Sequence, residues 1–185
     1  MKLLSTLTLA TFVGFSTLFS ANYKVDNIHS SIGFKVRHMM VSKTKGEFTS
    51  FNGSYSYDAK KHQLSSLEGS VSIASVNTRS AKRDAHLKTE EFFDAKRYPK
   101  MRLSMVKHSG DTVTLDLTIK GITKRLNFDI EDLSDEAKDS WGNVRTGFSI
   151  SGKINRNDFK VGKDTGSMMI GADIKVSLEI EGIKG

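Results

Sequence analysis

Arg83-Asp84-Ala85-His86-Leu87 is the densest group of chemically capable side chains in the sequence, with Arg79 and Lys82 just ahead of it. A guanidinium pairs oxygen anions bidentately, so Arg83 and His86, helped by those neighbours, are candidates to hold an anionic or polar head group. The alternative is structural, and the pattern favours it: Arg83 and Asp84 pair with one another or with strand ends and pin a short helix. An aspartate and a histidine near a serine also describe a hydrolase. Nothing selects that serine among the many, and the enzymatic reading is disfavoured.

Other motifs carry less. Gly147 to Lys153 spaces Gly, four residues and Gly-Lys as a phosphate loop does, yet Ile154 stands where Ser or Thr is required and the stretch alternates as a strand. There is no Gly-x-Ser-x-Gly elbow, no His-Glu-x-x-His pair and no acidic calcium loop. The five histidines, His29, His38, His62, His86 and His108, show no zinc-pair spacing. His38-Met39-Met40 and Met168-Met169 could be soft copper ligands, but methionines on alternating strands more often line a core or a pocket. The absence of cysteine removes disulfides, thiolate catalysis, iron–sulfur clusters and Cys-based zinc. No catalytic residue, metal or cofactor is expected.

The N-terminus reads as an address. Lys2 precedes a run from Leu3 to Phe19 of Leu, Ala, Val, Phe, Gly, Ser and Thr, with small residues at Ser20 and Ala21. This is the pattern of a secretory signal peptide, residues 1–20, cut near Ser20 or Ala21, and it predicts a periplasmic or secreted protein. The remainder, 21–185, is long enough for one well-packed domain. The whole chain has 28 Lys and Arg against 21 Asp and Glu, a net charge of +7. That surplus serves solubility and makes transient contact with an anionic membrane surface a weaker expectation, while nucleic acid is not an expected partner outside the cytoplasm.

The elements that must position any site are strands. From Ile28, apolar residues fall on every second position: Ile32, Phe34, Val36 and Met40 alternate with polar ones. The period returns after Phe51, Leu67, Met101, Val113, Leu126, Phe148 and Met168, giving about eight strands, with hairpin signals at Ser109-Gly110-Asp111 and Gly121. Only Thr78–Lys100 breaks it, predicting one or two short helices. Strands with one apolar face must close or stack, and eight is the number at which a barrel is either filled or holds one small ligand. Gly53, Gly69, Gly152, Ala172 and Ser30 on the inward row leave a cavity or mark bends, and composition does not choose between them.

Tyr23-Lys24-Val25-Asp26, His29-Ser30, Ile32-Gly33-Phe34, Gly46-Glu47-Phe48, Ser75-Val76-Asn77-Thr78, Arg83-Asp84-Ala85-His86-Leu87, Phe92-Phe93-Asp94 and Tyr98-Pro99 occur in this order. Leu117 to Lys124 and Gly152 to Phe159 continue the series. Together they resemble the YceI-like family of polyisoprenoid-binding proteins, from Tyr23 to about Glu181. One departure is Lys160, where the family commonly has glycine, which bears on the local turn. The resemblance implies a mainly β, extended antiparallel eight-stranded lipocalin-like barrel. It also implies an exported carrier or store of a long-chain amphiphile such as an isoprenoid quinone, a polyprenyl lipid or a fatty-acid-like molecule. Some relatives form homodimers, and no catalytic residue comes with the family. On the apolar phase of the strands, Phe34, Val36, Met40, Phe51, Leu117, Phe148, Ile150, Ile170 and Ile174 are the expected ligand lining. Arg83 and His86 are the expected polar contacts. The alternative is a filled barrel acting as a surface or stress-related interaction module.

Overall fold

Alternation of apolar and polar residues dictates strands here, and the computed structural model describes residues 20–185. The expected signal peptide lies outside the described residues apart from Ser20. In chain order the strands are β1 (Ala21–Val25), β2 (Ser31–His38), β3 (Ser42–Phe48), β4 (Phe51–Asp58), β5 (Gln63–Ser72) and the short β6 (Val76–Asn77). The helix α1 (Ala81–Leu87) follows, then β7 (Lys100–Ser109), β8 (Thr112–Ile119), β9 (Ile122–Glu131), the short β10 (Ala137–Lys138), β11 (Val144–Asn155) and β12 (Ile170–Lys184).

All pairings are antiparallel, and eight strands close a ring in the order β1-β4-β5-β7-β8-β9-β11-β12 and back to β1. The two hairpin signals sit at tight turns, with Gly110 at φ 58° between β7 and β8 and Gly121 at φ 75° between β8 and β9. The 15-residue β12 holds the architecture together. One of its edges pairs with β11 from Asn155↔Asp173 to Arg145↔Ile183. Its other edge has two partners: Gly182 to Lys184 pair with β1, while Ile170 to Glu179 pair with β2. The excursion between β1 and β2 is stitched back by Asp26 N–H donating to Glu181 O at 2.8 Å. At that second partner the wall continues as β2-β3-β6, so the barrel is longer there than the ring alone.

The segment that broke the two-residue period contains one α-helix. Ser80 caps α1, its hydroxyl accepting from Arg83 N–H at 3.4 Å, and Asp84 stands in the first turn, where the helix dipole favours a carboxylate. Lys160, the departure from the family pattern, adopts φ 55° and ψ 31° at the end of a 3-10 turn over Arg156–Phe159. The turn is therefore kept, with a lysine in the left-handed region that glycine enters without strain.

Candidate functional site

Inside the barrel the inward rows do not meet everywhere. An apolar cavity of about 460 Å³ lies among β2, β5, β7, β8, β9, β11 and β12, within the range of pockets that enclose small molecules. α1 lies across one side of it and contributes Arg83, His86 and Leu87, residues at i, i+3 and i+4 that share one helical face.

Six of the apolar residues expected on the strand phases line this space: Phe34, Val36, Leu117, Ile150, Ile170 and Ile174. The other three lie elsewhere. Phe51 is buried in the packed core and does not reach the cavity. Phe148 is in the filled half of the barrel, its ring edge-on to Tyr55 at 5.0 Å between centroids. Met40 is 57% exposed, because β2 ends at His38 and the turn carries the next residues out of the strand. Inward phase is a property of the strand, whereas lining a cavity also requires the right height in the barrel.

The inward glycines divide in the same way. Gly69 lines the cavity, whereas a Cβ on Gly152 would meet Phe128 Cδ1 at 2.7 Å and one on Gly53 would meet Glu68 O at 2.8 Å. Only the first leaves space.

Arg83 and Asp84 act on the same partner. Arg83 Nε donates to Thr78 Oγ1 at 2.7 Å and Nη2 to Thr78 O at 2.6 Å. Asp84 Oδ1 accepts from Thr78 N–H at 2.8 Å and from its hydroxyl at 2.5 Å. The buried Thr78 directly follows β6, so α1 is pinned to a strand end while the rest of the Arg83 side chain borders the cavity. His86 Nε2 lies 2.9 Å from Glu91 Oε2, and Glu91 Oε1 accepts from Thr165 Oγ1 at 3.0 Å. These two bonds hold the Glu91 carboxyl below its ordinary range. Asp84 and His86 are thus committed to different partners, which is not the relay a serine hydrolase uses.

Arg156, quoted in the motif but not singled out by its chemistry, is the strongest polar feature of the wall. It is 3% exposed, and among the described residues no carboxylate lies within ion-pair distance of it. All five of its N–H bonds go to backbone carbonyls: Nε to Gly171 at 3.2 Å, Nη1 to Val161 at 2.9 Å and to Gly162, Nη2 to Thr165 at 2.6 Å and Ile170 at 3.1 Å. Burial draws its guanidinium pKa down from the ordinary value. The side chain ties the 156–170 loop to the start of β12 and leaves a positive charge without an ion-pair partner beside apolar walls. Phe159 and Val161 of the same loop line the cavity too. Their segment has no strand period, so spacing carried no signal for them. Leu103 and Leu115, by contrast, share the phase of the expected lining.

Among the described residues one group has the geometry to hold a cation: ligand atoms of Asp26, His29 and Glu181 lie within 4.8 Å of one another. A cation already occupies it, since Arg145 Nη1 is 2.7 Å from Asp26 Oδ2 and 2.6 Å from Glu181 Oε1, and Arg145 Nε is 2.7 Å from Asp139 Oδ2. His29 and Arg145 hold the Asp26 carboxyl well below the usual range, and Arg145 is correspondingly raised.

The YceI-like domain model matches residues 23–182. The chain is 37% identical over 170 residues to a UPF0312 protein of Photorhabdus laumondii, covering 89% of this chain and 88% of the relative. It is 32% identical over 166 residues to protein YceI of Escherichia coli, covering 86% of each. Among solved structures it is similar to the YceI protein of Campylobacter jejuni, with a TM-score of 0.74, 30% identity and coverage of 98% and 99% of the two chains. A polyisoprenoid-binding domain from Saccharophagus degradans shares the fold, with a TM-score of 0.67 at 14% identity over 88% of this chain and 98% of that one. By the span of the family match and by these identities, the chain belongs to the YceI-like domain family.

Proposed function

We propose that the protein binds a long-chain amphiphile in the hollow half of the barrel and carries or stores it after export to the periplasm, without catalysing a reaction on it. The observation that carries this reading is the cavity itself: about 460 Å³ walled mostly by aliphatic and aromatic side chains, with Arg37, Arg83, Arg102 and Arg156 among its lining. An apolar chain gains about 0.8 kcal/mol for each methylene taken out of water. Burial of about 12 of them contributes ~10 kcal/mol gross, of which association and ordering remove several. No covalent chemistry is needed for tight retention. Arg83 and His86 border the cavity, where a polar head group of the amphiphile would meet them, Arg83 through the guanidinium N–H groups that Thr78 does not take. The polyisoprenoid-binding domain from Saccharophagus degradans supports an isoprenoid chain as the first candidate.

Mass spectrometry of the mature protein, purified from its native envelope without detergent, tests the proposal. A stoichiometric long-chain species, lost on denaturation and absent from folded Ile174→Glu or Phe34→Glu protein, is the expected result. A protein that is empty from its own envelope and stays empty when offered quinones and polyprenyl lipids would overturn it.

A further inference from the structure

The β2–β3 hairpin ends in residues that water disfavours twice. Val41 N–H donates to His38 O at 3.1 Å, closing a turn whose central residues, Met39 and Met40, both lie at positive φ, 49° and 58°. Asn-Gly suits such a turn, because those residues enter the left-handed region with least strain. Here two bulky apolar residues hold it while more than half exposed, and Val41 beside them is 88% exposed. Met168 and Met169 join them in space, with Met39 N–H donating to Met169 O at 3.0 Å and Met168 80% exposed. Five large apolar side chains thus form one tip. Among the described residues the other exposed large apolar ones, Ile28, Val106 and Trp141, occur singly on three separate segments.

Behind the tip the outward face is a basic row. Arg37 is opposite Lys43, and one step further Lys45, Lys35, Lys175 and Lys153 stand in direct register across β3, β2, β12 and β11. All six cations are exposed, and none forms an ion pair among the described residues. Like charges directly opposite on neighbouring strands repel. Glu47 and Asp173, two positions away along the same face, lie opposite Gly33 and Asn155, and Asp129 lies opposite Ser151, so no carboxylate stands in the row itself.

An apolar tip and a repelling cation row are each unfavourable in water, and both become favourable at an apolar interior faced with anionic head groups. We propose that this end of the molecule docks on an anionic phospholipid bilayer, with the Met39–Val41 turn and Met168-Met169 entering the interface and the Arg37, Lys43 and four-lysine row meeting the phosphates. A soluble polyanion would match the row and leave the tip without a role. His38, Thr44, Met169 and Ile170 border the cavity on the same arm, so docking brings the cavity against the bilayer. The docking surface stands on its own observations, and its use for lipid exchange rests on the carrier reading.

Flotation of the mature protein with vesicles of phosphatidylcholine, with and without an equal part of phosphatidylglycerol, tests it. The expected result is salt-sensitive binding to the anionic vesicles alone. Met39→Asn/Met40→Gly, which suits the turn and keeps the fold, lowers that binding about tenfold. Lys35→Gln/Lys175→Gln also weakens it and flattens its salt dependence. Failure of the wild-type protein to bind, or binding indifferent to the turn variant, would overturn the proposal. So would binding lost only in the lysine variant and competed by inositol hexakisphosphate, which would assign the row to a soluble polyanion. Native mass spectra of the same preparations separate the two readings: cargo without docking sinks the surface alone, and docking without cargo sinks the carrier alone.

Discussion

The two halves of this barrel share strands and use their interiors in opposite ways. In one, Tyr23, Tyr55 and Tyr57, each 1% exposed, fill the width: the rings of Tyr23 and Tyr55 stack at 5.1 Å, and Tyr57 meets Tyr23 edge-on. Every hydroxyl there is anchored, Tyr55 on Thr146 Oγ1 at 2.8 Å, Tyr57 on Ser134 O at 2.9 Å and Tyr23 on Glu136 Oε1 at 2.6 Å. In the other half Leu103, Leu117 and Ile174 occupy corresponding inward phases and leave about 460 Å³ between them. Tyrosine spans an eight-stranded barrel and needs polar partners, whereas aliphatic side chains from facing walls stop short of one another. Side-chain reach, not strand number, divides the molecule into a solid half and a hollow one.

The sharpest way to break that contrast is to hollow the solid half. Tyr55→Ala removes a stacked ring and leaves Thr146 without its partner, and about 3–5 kcal/mol of stability should be lost. The expected fall in Tm is roughly 10 °C, measured by calorimetry. Arg156→Met acts next, at the hollow end, by stranding five carbonyls: a loss of about 3 kcal/mol in urea denaturation is expected. Arg156→Lys should not rescue it, because three ammonium donors cannot replace the five-pronged fork.

Alkaline titration separates the halves without mutation. Burial pushes the Tyr55 and Tyr57 phenols up to about 12, above the unfolded value near 10. Their neutral forms therefore contribute stability that is complete below about pH 10 and is lost as pH rises toward 12. Near-ultraviolet tyrosinate absorbance should lag behind that of the unfolded chain and appear together with loss of structure. Reversible ionisation of these phenols at pH 10 in intact protein would contradict a solid half.

Filling the hollow half should change little. Leu117→Phe adds volume where space exists, so its effect on stability stays within about 1 kcal/mol, while the cargo mass retained in native spectra falls. The smallest effect is expected at the edge of the Arg156 knot. Lys160→Gly relieves a left-handed lysine and should raise stability by up to about 1 kcal/mol, read as a shifted urea midpoint.

How far the sequence exposes this design varies by element. The β7–β8 and β8–β9 hairpins are plain in it, because glycine at a turn and alternation on both sides are local signals. β3 is silent: Thr44 and Gly46 hold its inward phase, and no apolar residue appears until Phe48. Its glycine is required by the residue directly opposite on β2, since the Phe34 ring lies where a Cβ would stand. The Arg83-Asp84 pair was legible as a clasp from residue type, but its target, Thr78, became apparent only with the strand end in place. Arg156 was hidden for a related reason. Its acceptors are backbone carbonyls, which no residue type advertises.

By itself the sequence determined which face of each long strand points inward, where the tight hairpins turn, and that cysteine chemistry is absent, because these follow from residue type and a two-residue period. Only the tertiary structure decided the rest. The height at which Ile174 and Phe148 stand, one beside a cavity and the other against Tyr55, depends on register between strands distant in sequence. The same register sets four lysines from β3, β2, β12 and β11 in one row and seats Met169 beside Met39. Periodicity is a property of one strand, while a cavity or a surface belongs to several, and it is their pairing that brings such residues together.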